Sequence, residues 1–332
     1  MLRRDPKTRP LHVRRWLSAA LALVAAAGLG GCGSGQGDEP QGVRVLVTDD
    51  RGSRTLLDRD AVKVSDGERV ADVLRRVAKV ELGRGGDVAS IDGTAATGKR
   101  TWSFWINGTV AESGVLDDSQ PTHEQRPTTL ESATVAKVHD GDTVWFDRSA
   151  LGPAARARGV VGTFPEPFLH GFDGKRWPVR VECTEPRGQA CRMVRDALVR
   201  YDLPAATTAL RSSYNPETAR IAVGRWSEIR EDPAAGLLEM GVGISGIFAR
   251  PQRDGRSIQL LDARGQVTRT LGWGGGLIVA SRYRDEPPSW AVTGTDDAGV
   301  LRAAGALDET TLRRRFAVAI DGGNVLSLPI RP

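Results

Sequence analysis

Aromatic residues make up only 5% of this 332-residue chain, and it holds three cysteines and four histidines. That scarcity excludes cysteine- and histidine-rich metal scaffolds, whose ligands recur at short fixed spacings. The longest apolar run is shorter than the roughly 20 residues a spanning helix needs, which excludes a polytopic membrane chain. An excess of one charge sign is also missing from most of the chain. Six of the 46 basic and one of the 41 acidic residues fall within residues 1–31, so the remainder carries equal numbers of each. A phosphate-binding surface would need a lasting basic excess, so nucleic acid is excluded as a partner. No GxSxG, HExxH or P-loop pattern occurs. Gly241-Val242-Gly243-Ile244-Ser245-Gly246 fits GxGxxG but follows a helical pattern and precedes a strand, the reverse of a dinucleotide site, and reads as a turn. The expectation is therefore a protein that is not an enzyme. What is present, 40% hydrophobic and 26% charged residues, fits folded domains, and the length suggests two.

Residues 1–31 have a basic start ending at Arg14-Arg15, then 14 mostly apolar residues from Trp16 to Leu29, and the stretch closes on Leu29-Gly30-Gly31-Cys32. The run has the length of a signal h-region. The pattern resembles a bacterial lipoprotein signal, which implies a diacylglyceryl group on Cys32 and cleavage before it. Arg14-Arg15-Trp16-Leu17 half-resembles a twin-arginine signal, and the choice between the two export routes stays open. Residues 32–42 are rich in Gly and read as a flexible tether that holds the folded part near the bilayer. The expected location is the extracytoplasmic side of the cell membrane. Cys183 and Cys191 then remain as an even pair in an oxidising compartment and are expected to form a disulfide.

Between 43 and 149, Val43–Val47 and Thr55–Lys63 read as two strands around a turn at Asp49–Gly52. Val70, Val73, Leu74 and Val77 share one helix face, with an N-cap expected within Ser65–Glu68. Trp102, Phe104 and Ile106 alternate before Asn107-Gly108, a strong hairpin-turn dipeptide. His139-Asp140-Gly141-Asp142 reads as a solvated turn leading into a last strand at Val144–Phe146. Alternation turns Trp105 and Trp145 away from the face that carries Trp102 and Phe104. Two readings of that pair stand open: packing under the 116–136 excursion, or a stacking platform for a flat ligand or partner.

Three stretches, Val64–Leu74, Trp102–Gly108 and Asp140–Val144, resemble the "G-hydrophobic-DVL", "W-x-aromatic-x-V-N-G" and "DGD-x-hydrophobic" motifs of the transcobalamin-like C-terminal domain. The resemblance covers about a third of the chain. It implies a β-grasp-like fold over 43–149, similar to the smaller domain of the cobalamin carriers, and is less specific for a cobalamin-like ligand; the candidate ligand-binding residues are Trp105, Trp145 and Asn107. The 116–136 stretch is longer than the family pattern, and the large helical domain of the cobalamin carriers is absent.

Residues 150–162 read as a linker and 163–332 as a second mixed domain. Its expected strands are 178–182, 220–223, 257–261, 266–271, 277–280, 290–292, 316–320 and 325–328. Its expected helices are 189–201, one capped by Asp232-Pro233, and one from Asp296-Asp297 to Leu307. Strands and helices mix without a βα period, so the fold class is α+β throughout. The two halves carry opposite net charges, −5 over 32–149 and +5 over 150–332. Trp273–Gly276 and the Arg282, Arg284 and Asp285 cluster are candidate pocket residues, though a loop is the simpler reading. The functional expectation is a lipid-anchored small-ligand-binding protein that hands a corrinoid-like ligand to a membrane transporter; the alternative is an envelope protein that binds other proteins.

Overall fold

The structure is a computed structural model. It describes residues 41–113, 129–150, 157–212, 217–282 and 286–331. Cys32, most of the tether, His123, Arg284 and Asp285 lie outside them.

A run of β-branched and apolar residues makes β1, Val43–Asp49, and a tight turn returns it as β2, Arg54–Val62. The chain then forms α1, Val70–Val77, and later β3, Arg100–Ile106, and β4, Thr143–Ala150. These four strands form one sheet in the order β2-β1-β4-β3. The central pair β1 and β4 is parallel, and both flanking pairs are antiparallel. Val70, Ala71, Val73 and Leu74 of α1 fill one face with Val45, Val47, Trp102 and Phe146. Burying each Val or Leu of that stripe contributes roughly 1.5–3 kcal/mol, which stabilises a helix of only eight residues that would not persist alone. The cap differs from expectation. Arg69 occupies the N-cap position without a side-chain bond, because Glu68 turns back to accept the Ser65 N–H at 3.0 Å.

The second half is built on a seven-stranded sheet. Its strands are β5 (Val179–Cys183), β6 (Ala205–Ala209), β7 (Ala219–Arg225), β8 (Gly276–Ser281), β9 (Ser289–Gly294), β10 (Ala317–Asp321) and β11 (Asn324–Leu328). They lie in the order β6-β5-β7-β9-β8-β10-β11. The first four are mutually parallel and the rest antiparallel. Helices α2 (Gln189–Val199) and α3 (Asp297–Gly305) cover one face, where Val181, Val194, Leu198, Ile221, Val292 and Ala303 meet. Gly294 admits α3 onto the sheet, since a Cβ there would sit 2.5 Å from the Gly299 carbonyl carbon. The other face is closed by short helical turns and a small sheet of 249–251, 258–261 and 267–271, around Trp226, Leu238, Phe248 and Leu260. The fold is thus mixed α+β with several sheets, as its class was read, and 40–332 is one compact unit. The parallel half of the large sheet contains one β5–α2–β6 crossover, and its other parallel pairs join segments distant in sequence, so no regular βα period shows along the chain.

Cys183 at the end of β5 and Cys191 in the first turn of α2 form the expected disulfide, with their Cα atoms 6.0 Å apart. Asp232 caps the helical turn at Pro233–Gly236, and Asp296 caps α3 by accepting the Gly299 N–H at 2.8 Å. Gly241 and Gly246, both at positive φ, bracket a four-residue helix, so the GxGxxG stretch is punctuation around a turn. The described part of the stretch read as a linker is buried: Ala157, Val160 and Val161 fill space between the two sheet systems.

Candidate functional site

Trp105 and Trp145 stand directly opposite each other across β3 and β4, with ring centroids 5.7 Å apart. Alternation therefore assigned them correctly to one face. That face is not open, however, and the exposed stacking platform is corrected. Trp145 is 0% exposed and meets the edge of Phe316 at 5.2 Å, while Trp105 meets the same ring at 4.9 Å. Both indole N–H groups are used inside, Trp145 donating to Thr48 Oγ1 at 2.7 Å and Trp105 to the Ala157 carbonyl at 2.7 Å. The covering residues, Phe316 and Val160, come from far along the chain, which strand alternation cannot reveal.

Asn107 is likewise committed to the fold. With Gly108 it forms a two-residue turn in which both φ angles are positive, closed by the Ile106–Thr109 bridge. Its amide donates to Asp142 Oδ1 at 2.6 Å and to the Gly171 carbonyl at 2.8 Å, and accepts the Thr143 N–H at 2.8 Å. Both amide N–H donors are thus used within the protein, and Asn107 is fully buried.

Asp142 is buried rather than solvated, which corrects the reading of its turn. Burial pushes its carboxyl up to about 6, against the opposing hydrogen bonds from the His139 N–H and Asn107, and the nearby Glu166 adds to the rise. His170 Nδ1 lies 2.5 Å from Glu166 Oε1. Burial works against the charged ring, but that carboxylate outweighs it and raises the His170 pKa. His139 pairs with Asp66, and Asp140 accepts the Gln41 and Gly42 N–H groups. Among the described residues no group of three His, Cys, Asp or Glu is placed to hold a metal ion. The cluster fastens the 139–142 turn to the 164–172 segment and closes the seam between the two halves.

An open space lies elsewhere on the same strand. Among the described residues β3 is the last strand of its sheet, and a cleft of about 90 Å³ lies beside it. Residues from both faces of the strand reach it: Trp102 and Phe104 from one, Ser103 and Trp105 from the other. Phe146, Ala111 and Ala157 add apolar wall, and Asp87 and Glu131 supply carboxylates. Asn107 donates its N–H to the Thr143 carbonyl, which fixes the ladder so that odd-numbered residues of β3 bond to β4. The N–H and C=O groups of Trp102 and Phe104 therefore point away from β4. Trp102 is 9% exposed, and its buried indole N–H has no partner among the described residues. The indole nitrogen is closed off from solvent, so an unpaired donor there costs about 1–3 kcal/mol within the packed core.

The chain matches no known family and no curated protein. Among solved structures, a proposed metal-binding protein from Ruminococcus gnavus aligns with 33% of this chain and 98% of its own, at 20% identity. The TM-score is 0.23, too low to carry any argument about fold or site.

Of the three ligand-site candidates named in the sequence, Trp105 lines the cleft; Trp145 and Asn107 do not. Trp102, Asp87 and Glu131 escaped notice. Trp102 read as core from its alternation, and part of it is core. Its second role depends on β3 being an edge strand, a fact of topology rather than of local pattern. Trp273 on the turn after 267–271 is 90% exposed, so that candidate stands on the surface without a pocket around it. Arg282 is buried with its guanidinium 4.9 Å from the centre of the Phe172 ring.

Proposed function

We propose that this is a membrane-anchored extracytoplasmic lipoprotein that binds a small ligand in the cleft along β3. The observation that carries the binding half is the cleft of about 90 Å³ beside β3, bordered by Trp102, Phe104, Val110 and Ala111 together with Asp87 and Glu131. Ligand sites are characteristically apolar hollows with a few convergent polar groups, and this one has that composition. The Leu29–Cys32 pattern supports the anchor, and the Cys183–Cys191 disulfide fits an oxidising compartment. The sheet order β2-β1-β4-β3, with its central parallel pair and one helix, supports the β-grasp-like reading of 43–149.

Size argues for a ligand smaller than a corrinoid. A space of about 90 Å³ takes several waters or roughly six to ten non-hydrogen atoms, so a corrinoid could lay only an edge in it. A transporter would then receive a small solute. The alternative, an envelope protein that grips other proteins, is favoured by Trp273, whose 90% exposure is what an interface anchor would show before its partner arrives. A thermal-shift screen of small solutes against the wild type and Trp102→Ala tests the proposal. Solutes that stabilise the wild type but not the variant support it; stabilisation of both alike contradicts it.

A further inference from the structure

We infer that the seam between the two halves is a pH-operated clasp, closed in a mildly acidic medium and released as the medium turns neutral to alkaline. The clasp stands apart from the ligand reading above and does not rest on it.

Its geometry is reciprocal. His170, from the second half, packs its ring on Gly141 of the first, where a Cβ would lie 2.5 Å from the imidazole Cδ2. His139, from the first half, packs on Gly174 of the second, where a Cβ would lie 2.8 Å from the imidazole Cε1. Only glycine leaves room for the ring at either contact. Each imidazole is held by a carboxylate of its own half: His170 Nδ1 lies 2.5 Å from Glu166 Oε1, and His139 Nδ1 lies 2.5 Å from Asp66 Oδ1. Asp142 follows Gly141, and its two oxygens accept the Asn107 amide and the His139 N–H. The same Asn107 amide reaches the Gly171 carbonyl, so the turn and the 164–172 segment share one hydrogen-bonded network.

Three titratable side chains of that network are shut inside. Asp142 is 5% exposed, and the Glu166 and His170 side chains are 5% and 9% exposed. The other charged groups at the seam face water: Asp66, Asp140, Asp173, Lys175 and Arg176 are exposed, and His139 is half-buried. A buried cluster is least costly when its charges cancel. With Asp142 protonated, the Glu166 carboxylate and the His170 imidazolium cancel. Ionising Asp142 leaves one uncompensated negative charge, and loss of the His170 proton leaves a second.

The two steps come in that order. Burial pushes the Asp142 carboxyl up to about 6, with Glu166 adding to the rise. Burial works against the charged His170 ring, but Glu166 and then Asp142 outweigh it and raise its pKa, with Arg176 opposing. Both groups bind their protons more tightly in the closed state, so closure is favoured at low pH and lost as pH climbs through their folded values. The 164–172 segment is itself anchored in the second half, where Phe164 and Phe168 meet Trp290 at 5.8 and 5.2 Å. Opening therefore parts the seam at the 139–142 turn and leaves both sheets folded.

Hydrogen–deuterium exchange of the whole exported protein at pH 5 and pH 8 tests the clasp, with labelling times scaled for the intrinsic pH dependence of exchange. If opening returns Asp142 to its ordinary 3.8, the open population of residues 106–108, 139–143 and 170–172 should rise about tenfold between those values. His170 adds to that rise, and β5 and β7 should keep their protection throughout. Asp142→Asn should remove the part of the rise centred near pH 6. Glu166→Gln takes away the charge that both other groups feel, and should flatten the rise as well. Thermal unfolding checks that both variants fold, and the wild-type profile needs neither. Seam exchange that is the same at pH 5 and pH 8, or faster at pH 5, overturns the inference. So does exchange in which β5 and β7 open together with the seam, since that is global unfolding. A rise that persists whole in Asp142→Asn overturns it too.

Discussion

Replacing Trp145 with Ala should cost this protein about 4–5 kcal/mol, near the top of the range for deleting a buried Trp. The side chain is fully buried, and its neighbours are poorly able to collapse into the space. Two of the atoms nearest to it belong to the backbone at Gly52 and Gly162, where even a Cβ would lie 3.2 and 2.8 Å from the indole ring. The loss includes the edge-to-face contact with Phe316, worth about 0.5–1.5 kcal/mol beyond area. It also removes the N–H that Thr48 Oγ1 accepts, while that hydroxyl goes on donating to Asp147 Oδ2 at 2.6 Å. Trp145→Phe keeps most of the volume and should cost roughly half as much. Urea unfolding followed by far-ultraviolet circular dichroism and by tryptophan fluorescence measures both. Because Trp145 bridges β4 and Phe316, the two signals should move together in each variant. A cost below about 1 kcal/mol for Trp145→Ala, within the range of surface substitutions, would refute the claim that this face is core.

Stability should fall as pH rises from 4 to 6. Asp142 has an ordinary pKa of 3.8 when unfolded and about 6 when folded, so across that window the folded state keeps a proton that the unfolded chain has released. The decline should reach at most about 3 kcal/mol and vanish in Asp142→Asn, as read from urea midpoints at each pH. His170, raised by Glu166, extends the decline: its stabilising share is complete below pH 6.5 and is lost as pH climbs through its folded value. Alkylation of the denatured but unreduced protein should label neither Cys183 nor Cys191, and replacing both with Ser should cost about 2–3 kcal/mol for a loop of this length. Cys32→Ala should release the protein from membranes or leave its signal uncut; wild type recovered soluble without detergent, with Cys32 unmodified, would contradict the anchor.

Much of the fold could be read from local pattern, because local pattern is what built it. The 43–62 strands, α1, α2, the Asp232 and Asp296 caps and the 317–328 hairpin follow from period-2 or period-3.6 burial and from capping residues at their ends. The pairing of Trp105 with Trp145 was also within reach, since register follows from alternation once two strands are neighbours. What lay outside the sequence was contact between distant segments. Phe316 covers the tryptophan pair from some 170 residues away, and Gly171 takes the Asn107 amide from a segment read as the start of another domain. Glu166 lies four residues from His170 in a Pro-rich stretch, a spacing that was visible, but its burial against Asp142 was not. The cleft was hidden for a related reason: an edge strand and a central strand share the same alternation, so Trp102 read as core alone.

The most direct test of ligand binding along β3 is the indole N–H resonance of Trp102, assigned in a nitrogen-15 correlation spectrum through Trp102→Phe. Titration with small solutes of roughly six to ten non-hydrogen atoms should shift that resonance as the surroundings of the Trp102 ring change. The Trp145 and Trp273 indole signals should stay in place, the first because it already donates to Thr48 and the second because it stands far out in solvent. A Trp102 signal that no solute moves, or one that moves only together with Trp273, would contradict the account.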